Sequence, residues 1–222
     1  MLLENYYYYF KSAVPIRICN DIIDYGKQHT LTPALTHVDD PKTGDIKHEV
    51  EDMTVQEKTK VFSKRNSNIS WFNDEWVYKE IYPYIHEANK LAGWNFQWDF
   101  TEDSQFTIYN EGQFYGWHAD GHPRPYKDNH RFENYRGKVR KLSVTVQLND
   151  PSEFDGGNLE FSFRNGKDFD SENRDKAIHT CTEIRPQGSI VVFPSFVWHR
   201  VTPVTRGTRY SLVMWNLGYP FR

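Results

Sequence analysis

The pair His118-Ala119-Asp120 offers one imidazole and one carboxylate two residues apart. On a strand, positions i and i+2 share a face, so both side chains can converge on one cation. The pattern alone is weak, and with 9 His in the chain a second copy, His37-Val38-Asp39, also fits it. That copy runs into Asp40-Pro41 and Gly44, in a polar stretch with no strand to hold it, and is set aside. His118 has better surroundings: Tyr109-Asn-Glu-Gly112-Gln-Phe-Tyr115-Gly-Trp117 reads as a strand and glycine turn feeding into the pair. A third candidate, His199, follows the buried-strand run Ile190-Val-Val-Phe-Pro-Ser-Phe-Val-Trp198.

Ten positions beyond His199 comes Arg209, whose strand face also carries Ser211, Val213 and Trp215. A guanidinium on an otherwise apolar inward face needs an anionic partner. A carboxylate on another strand would serve, and so would a ligand. Two His and one carboxylate suit a facial non-haem Fe(II) site with open positions, and an Arg that forks a carboxylate suits a 2-oxo acid beside it. Zinc also accepts this donor set, although a zinc hydrolase gives Arg209 and Tyr109 no work.

These residues need a scaffold. Cys19, Ile22, Ile23 and Gly26 recur at helical spacing after Pro15. A second helix begins at Asn73 or Asp74, carries Val77, Ile81, Ile85, Ala88 and Leu91 on one face, and closes at Gly93, with Pro83 expected to kink or split it. The run Tyr6-Tyr7-Tyr8-Tyr9-Phe10 reads as an aromatic edge strand, and residues 30–60 as a long surface excursion. After Trp94 the period is two: Phe96, Trp98 and Phe100 alternate, as do Val144, Val146 and Leu148. Further strands are expected at 105–109, 158–163, 181–184, 189–193 and 210–215, separated by turns such as Asp155-Gly156-Gly157-Asn158. Helices followed by many short strands predict a mainly β fold with flanking N-terminal helices, a double-sheet jelly roll or similar barrel.

In order and spacing, Gln105 to Trp215 resembles the 2-oxoglutarate and Fe(II)-dependent dioxygenases of the prolyl 4-hydroxylase type, in particular their bacterial and phage-like branch. The resemblance rests on Tyr109, Gly112, Tyr115, His118-x-Asp120, Gly156-Gly157-x-Leu159, Phe193-Pro194, His199-x-Val201-x-Pro203-Val204 and Arg209-Tyr210-Ser211 with Trp215; Arg65-Asn66-Ser67 before Ile69 to Phe72 also fits. It implies a double-stranded β-helix, and the chain's length fits one domain over 1–222, with 1–94 as helical and strand support and 95–222 as jelly-roll catalytic core. It implies iron held by His118, Asp120 and His199. Arg209 would take the distal carboxylate of 2-oxoglutarate, Tyr109 and Gln147 would add polar contacts to the cosubstrate, and Leu159, Val201 and Trp215 would wall its pocket. The implied reaction hydroxylates a peptidyl residue, proline foremost, using O2 and releasing succinate and CO2, with ascorbate as a stimulant. Related prolyl enzymes often carry Lys where Arg209 stands, so a small molecule or a nucleobase is the competing substrate.

Composition bounds the partners. Lys plus Arg number 27 against 30 Asp plus Glu, a net charge of −3 that argues against a protein coating nucleic acid or anionic membrane. Yet Gly121 to Lys141 holds seven Lys and Arg against Asp128 and Glu133, which keeps a nucleobase open. With Pro123 and Pro125 and no periodicity, that segment reads as a lid that contacts an acidic or extended peptide. His122 and His130 fall within it, where they could tune a pH response. Two cysteines, Cys19 and Cys181, exclude a disulfide scaffold, and His179-Thr-Cys181 reads as packed rather than ligating. The expected location is the cytoplasm, or the host cytoplasm for a viral chain, with no membrane partner.

Overall fold

A computed structural model describes residues 3–34, 53–121, 124–128, 130–163 and 178–221. His37, Asp39 and His122 lie outside the described residues. In chain order the elements are β1 (Tyr8–Phe10), α1 (Ile16–Gln28), β2 (Thr32–Pro33), α2 (Val55–Phe62), β3 (Arg65–Asn66), β4 (Asn68–Phe72) and α3 (Glu75–Leu91). Strands follow: β5 (Phe100–Thr101), β6 (Ser104–Tyr109), β7 (Phe114–His118), β8 (Val139–Gln147), β9 (Phe154–Gly156) and β10 (Leu159–Ser162). The last are β11 (Ile178–Thr180), β12 (Ile190–Pro194), β13 (Trp198–Val201), β14 (Val204–Gly207) and β15 (Arg209–Gly218).

Two antiparallel sheets make the jelly roll. The larger runs β1-β12-β8-β15-β6-β4-β2, with β5 added to β15; the smaller runs β11-β10-β13-β7-β3. Period-two patterning decides which side chain faces what. From β8, Leu142, Val144 and Val146 pack under the helices with Phe106 and Ile108 of β6 and Leu212 and Met214 of β15. The alternate residues Ser143, Thr145 and Gln147, and likewise Gln105 and Tyr109, or Arg209, Ser211 and Trp215, face the space between the sheets. There they meet Leu159, Phe161 and Val201 of the smaller sheet. A one-residue slip of β15 would turn Arg209 into the helix layer, so burial of Leu212 and Met214 pins the site's register.

The helices cover the outer face of the larger sheet. α1 buries Ile18, Cys19, Ile22, Ile23 and Gly26. Gly26 is required there, because a Cβ would sit 2.4 Å from the Phe106 ring. α3 buries Val77, Ile81, Ile85 and Ala88 but leaves Leu91 exposed, Ala92 and Trp94 taking its expected place in the core. Pro83 does not split α3. It sits on the exposed face of the helix, as does Lys79, the residue whose carbonyl loses its N–H partner.

Three other expectations are corrected. Residues 94–99 form no strand: Asn95 takes φ +50, and the Asn89 amide bonds both the N–H and the carbonyl of Phe96, using the groups a ladder needs. The strand expected at 181–184 lies earlier, at β11, and Thr182–Ile184 is a 3-10 turn. Within 30–60 the chain builds α2, whose capping box Thr54-x-x-Glu57 is present in both directions. Tyr8–Phe10 is the edge strand the sequence suggests, paired to β12 alone. Among the described residues no helix is long and apolar enough to cross a membrane.

Candidate metal centre and cosubstrate pocket

β7 and β13 are neighbours in the smaller sheet, and their register sets His118 opposite His199. Asp120, two residues past the end of the ladder, turns back between them. His118 Nε2 lies 3.5 Å from Asp120 Oδ1, and His199 Nε2 lies 3.5 Å from Oδ2. Among the described residues this is the group of three His, Cys, Asp or Glu whose ligand atoms all fall within 4.8 Å of one another.

The orientation of both rings follows from their far nitrogens. His118 Nδ1 donates to the Gly116 carbonyl at 2.8 Å, and His199 Nδ1 to the Val197 carbonyl at 3.0 Å. Carbonyls only accept, so each neutral ring carries its proton on Nδ1 and aims the Nε2 lone pair at Asp120. Burial and the neighbouring His118 push His199 down to about 4, overriding the pull of Asp120. Burial pushes the Asp120 carboxyl up, but the two imidazoles and Arg140 outweigh it and hold the group well below the usual carboxylate range. A neutral His199 therefore faces an ionised Asp120 at neutral pH, acceptor against acceptor, an arrangement that a divalent cation between them would relieve.

A cavity open to solvent adjoins this cluster. Tyr109, Leu159, Val201, Arg209 and Trp215 line it with the three candidate ligands. Arg209 is 2% exposed and is the register partner of Tyr109. Its Nε donates to Gln147 Oε1 at 3.0 Å, while Nη1 is buried with no hydrogen-bond partner. Among the described residues no carboxylate pairs with it, so no described strand supplies the anionic partner that its inward position demands. Burial pushes its guanidinium down to about 10, with Arg185 adding to the effect and Tyr109 opposing it. The residues thus fit a ligand that brings a carboxylate to Arg209. Gln147 lines an adjoining cavity with Arg209 and Leu159 rather than the main one.

Sequence reasoning missed several neighbours. Arg65, 6% exposed, enters the same cavity from β3, with Nε on Ser67 Oγ at 3.1 Å, Nη2 on Gln105 Oε1 at 3.2 Å and its plane over the Tyr115 ring at 4.4 Å. Tyr115 in turn stacks on His118 with ring centroids 3.5 Å apart. The motif Arg65-Asn66-Ser67 was visible, but its reach into the cavity comes from β3 pairing with β7. Trp215 keeps a buried indole N–H with no acceptor.

Three of the seven basic residues of the expected lid are paired in place. Lys138 pairs with Asp99 at 2.8 Å, Arg140 with Glu102 at 2.6 Å and Arg136 with Glu133 at 3.3 Å, and Lys141 is buried under Phe221. Its described part is structured, with a 3-10 turn at Glu133–Tyr135 and packed rings of Tyr126, His130, Phe132 and Tyr135. His179 bonds the Tyr7 hydroxyl at 2.8 Å, and Cys181 is a buried free thiol.

A jelly roll that brings two histidines and a carboxylate together in one cavity offers the donor set of a non-haem iron site. The chain belongs to the 2OG-Fe(II) oxygenase superfamily, whose family model matches residues 104–216. That family uses Fe(II) and 2-oxoglutarate, and His118, Asp120 and His199 are the candidate iron site. The PKHD-type hydroxylases YbiX of Escherichia coli and Escherichia fergusonii are 36% identical over 111 residues, which is 50% of this chain. The match spans 40% of the length of those relatives. In structure, the viral collagen prolyl hydroxylase of Paramecium Bursaria Chlorella virus-1, solved with 2OG, aligns over 97% of both chains with a TM-score of 0.59 at 18% identity. A Pseudomonas putida prolyl-4-hydroxylase aligns over 96% of this chain and 93% of its own, with a TM-score of 0.59 at 19% identity. At such identities these likenesses concern the fold.

Proposed function

We propose that this chain hydroxylates a peptidyl residue, proline foremost, in an Fe(II)- and 2-oxoglutarate-dependent reaction. The observation that carries the reading is the juxtaposition, in one cavity, of three converging metal-ligand atoms and a buried Arg209 without a carboxylate. In it His118, Asp120 and His199 hold the iron, and Arg209 receives the distal carboxylate of 2-oxoglutarate through its unpartnered Nη1. Gln147 aims that guanidinium by accepting from Nε, Tyr109 contributes its hydroxyl, and Leu159, Val201 and Trp215 keep the pocket dry. The core of 95–222 carries the candidate ligands, while the described part of 1–94 adds α1–α3 as a buttress, β1–β4 to the sheets and Arg65 to the cavity wall.

When bound, iron and 2-oxoglutarate supply the oxidising chemistry: one atom of O2 goes to the substrate C–H as hydroxyl, the other to the 2-oxo acid, which leaves as succinate and CO2. The chain's own work is geometric. The carbonyls of Gly116 and Val197 hold both Nε2 atoms toward one point, and the apolar walls exclude water and unsuitable substrates. Support for a peptide comes from relatives described as prolyl hydroxylases, one of them in complex with a peptide fragment. A small molecule or nucleobase is the second reading, favoured by the presence of Arg209 where prolyl enzymes often carry Lys.

The test is anaerobic addition of Fe(II) and then 2-oxoglutarate, followed by visible absorption. A weak charge-transfer band, lost in His199→Ala and needing far more 2-oxoglutarate in Arg209→Ala, is expected. No band in folded, metal-loaded protein overturns the cofactor assignment. A hydroxylation screen on peptide arrays, with and without ascorbate, then separates peptide from small-molecule substrates.

A further inference from the structure

The small cavity adjoining the main pocket is lined by two guanidiniums, Arg209 and Arg185, with Gln147, Gly157 and Leu159 among the neutral residues between them. Among the described residues no Asp or Glu lines it. Arg185 leaves the 3-10 turn Thr182–Ile184 and clips the turn between β9 and β10. Its Nη1 donates to the Gly156 carbonyl at 2.7 Å and to Asn158 Oδ1 at 2.8 Å, and its Nη2 to the Phe154 carbonyl at 3.1 Å. Every acceptor is neutral. Asp155, close enough to feel its charge, is held by Arg206 at 2.6 Å. The clipped turn is the floor under Arg209: Gly157 has φ +58, and a Cβ there would lie 3.0 Å from Arg209 Cδ and from Val204 Cγ2.

Two like charges lining one cavity repel each other, as the lowering of Arg209 by Arg185 reflects, and an anion bound beside them turns that repulsion into attraction. We propose that Arg185 is a positioning residue of the cosubstrate site: it fixes the Gly156-Gly157 turn beneath Arg209 and, as a second uncompensated guanidinium, makes that end of the pocket select a 2-oxo acid with a distal carboxylate. The inference rests on the proposed cosubstrate role of Arg209. It adds a specificity device outside the residues that touch the ligand. A 2-oxo acid of equal length without the distal carboxylate, 2-oxopentanoate, can chelate a metal in the same way but leaves both guanidiniums uncompensated.

The experiment measures binding rather than turnover. Calorimetric titrations under argon use the Mn(II)-loaded protein with 2-oxoglutarate and with 2-oxopentanoate, on wild type, Arg185→Gln and Asn158→Asp. The second variant keeps the acceptor that Arg185 uses and adds a counter-ion, so the clip survives while the charge is neutralised. Both variants are expected to bind 2-oxoglutarate about tenfold more weakly and 2-oxopentanoate nearly unchanged. Equal losses for both ligands, or no loss for 2-oxoglutarate in the folded Asn158→Asp protein, overturn the selective role of Arg185. A wild type that fails to bind 2-oxoglutarate overturns instead the cosubstrate reading on which this inference stands.

Discussion

Glu102 and Arg140 grip each other through two charge-assisted bonds, Nε to Oε1 at 2.7 Å and Nη2 to Oε2 at 2.6 Å, with the guanidinium stacked 4.1 Å over Trp215. The Tyr126 hydroxyl donates to the same carboxylate at 3.2 Å, and Tyr78 caps the Glu102 carbonyl at 3.1 Å. One buried pair thus ties β8, the segment after the first two candidate ligands and α3 to the wall of the cavity. The cation cannot act as a free charge toward a ligand, because Glu102 already occupies its fork.

Removing one partner should therefore cost more than removing both. Glu102→Ala leaves Arg140 buried without a counter-ion, and urea unfolding should report a loss of about 3 kcal/mol, the low end for such pairs because the guanidinium is 20% exposed. The double replacement Glu102→Leu with Arg140→Met should recover most of that loss. A double variant as unstable as the single one would show that the pair contributes through geometry rather than charge.

His199 gives the metal-free protein a pH dependence. Its folded pKa of about 4 lies below the value near 6.5 of an unfolded histidine, so the unfolded chain takes up a proton that the folded chain refuses. Stability is full above pH 6.5 and falls as pH drops toward 4, by about 2 kcal/mol at pH 5. Chelator-treated protein unfolded in urea at pH 7 and pH 5 should show that difference, and His199→Gln should lose most of it. An undiminished pH slope in the variant would assign the effect to another group.

Much of this architecture is legible in the sequence because alternation is a local signal. Val144, Val146 and Leu148 announce one face of β8, and Ser211, Val213 and Trp215 announce the face that carries Arg209. The His118, Asp120 and His199 cluster is legible for the same reason, each residue sitting on or at the end of a patterned strand. What the sequence hides is non-local or hydrogen-bonded. Arg140 and Glu102 are 38 positions apart, so a basic segment looked free when its partners lay upstream. Phe96, Trp98 and Phe100 alternate like a strand, yet the Asn89 amide claims the Phe96 backbone. Pro83 looked disruptive because its exposure depends on which side of α3 meets the sheet. The Thr54-x-x-Glu57 box, by contrast, was readable as a helix start in a stretch taken for loop.

Gly26 sets two effects of opposite sign against each other. Alanine is better than glycine inside a helix by about 1 kcal/mol. A Cβ at this position, however, meets three atoms of the fully buried Phe106 ring, the nearest at 2.4 Å. Overpacking of this kind costs about 1–3 kcal/mol. Gly26→Ala should therefore lower thermal stability despite the propensity gain, whereas Gly26→Ala with Phe106→Leu should be less destabilised than Phe106→Leu alone.

Gln147 offers the most direct test of how Arg209 is kept ready. Its Oε1 accepts from Arg209 Nε at 3.0 Å, while its Nε2 donates to the Asn149 carbonyl at 3.0 Å and to Asn149 Oδ1 at 3.2 Å. Gln147→Met strands Arg209 Nε and the Asn149 carbonyl in a site that is 2% exposed, while Asn149 Oδ1 keeps the Tyr210 N–H at 2.8 Å, so stability should fall by about 1–3 kcal/mol. Arg209 keeps its unneutralised charge in that variant, and affinity for 2-oxoglutarate should drop only severalfold. Gln147→Glu presents a carboxylate oxygen to the Asn149 acceptors, which also destabilises, but it hands Arg209 an internal counter-ion. The cosubstrate must then compete with a tethered carboxylate, and binding should weaken at least about tenfold beyond the Met variant, with metal affinity unchanged in both. Equal 2-oxoglutarate affinities in the two folded variants would mean that the open charge of Arg209 is not what receives the cosubstrate, and the assignment of that pocket would have to move to Arg65.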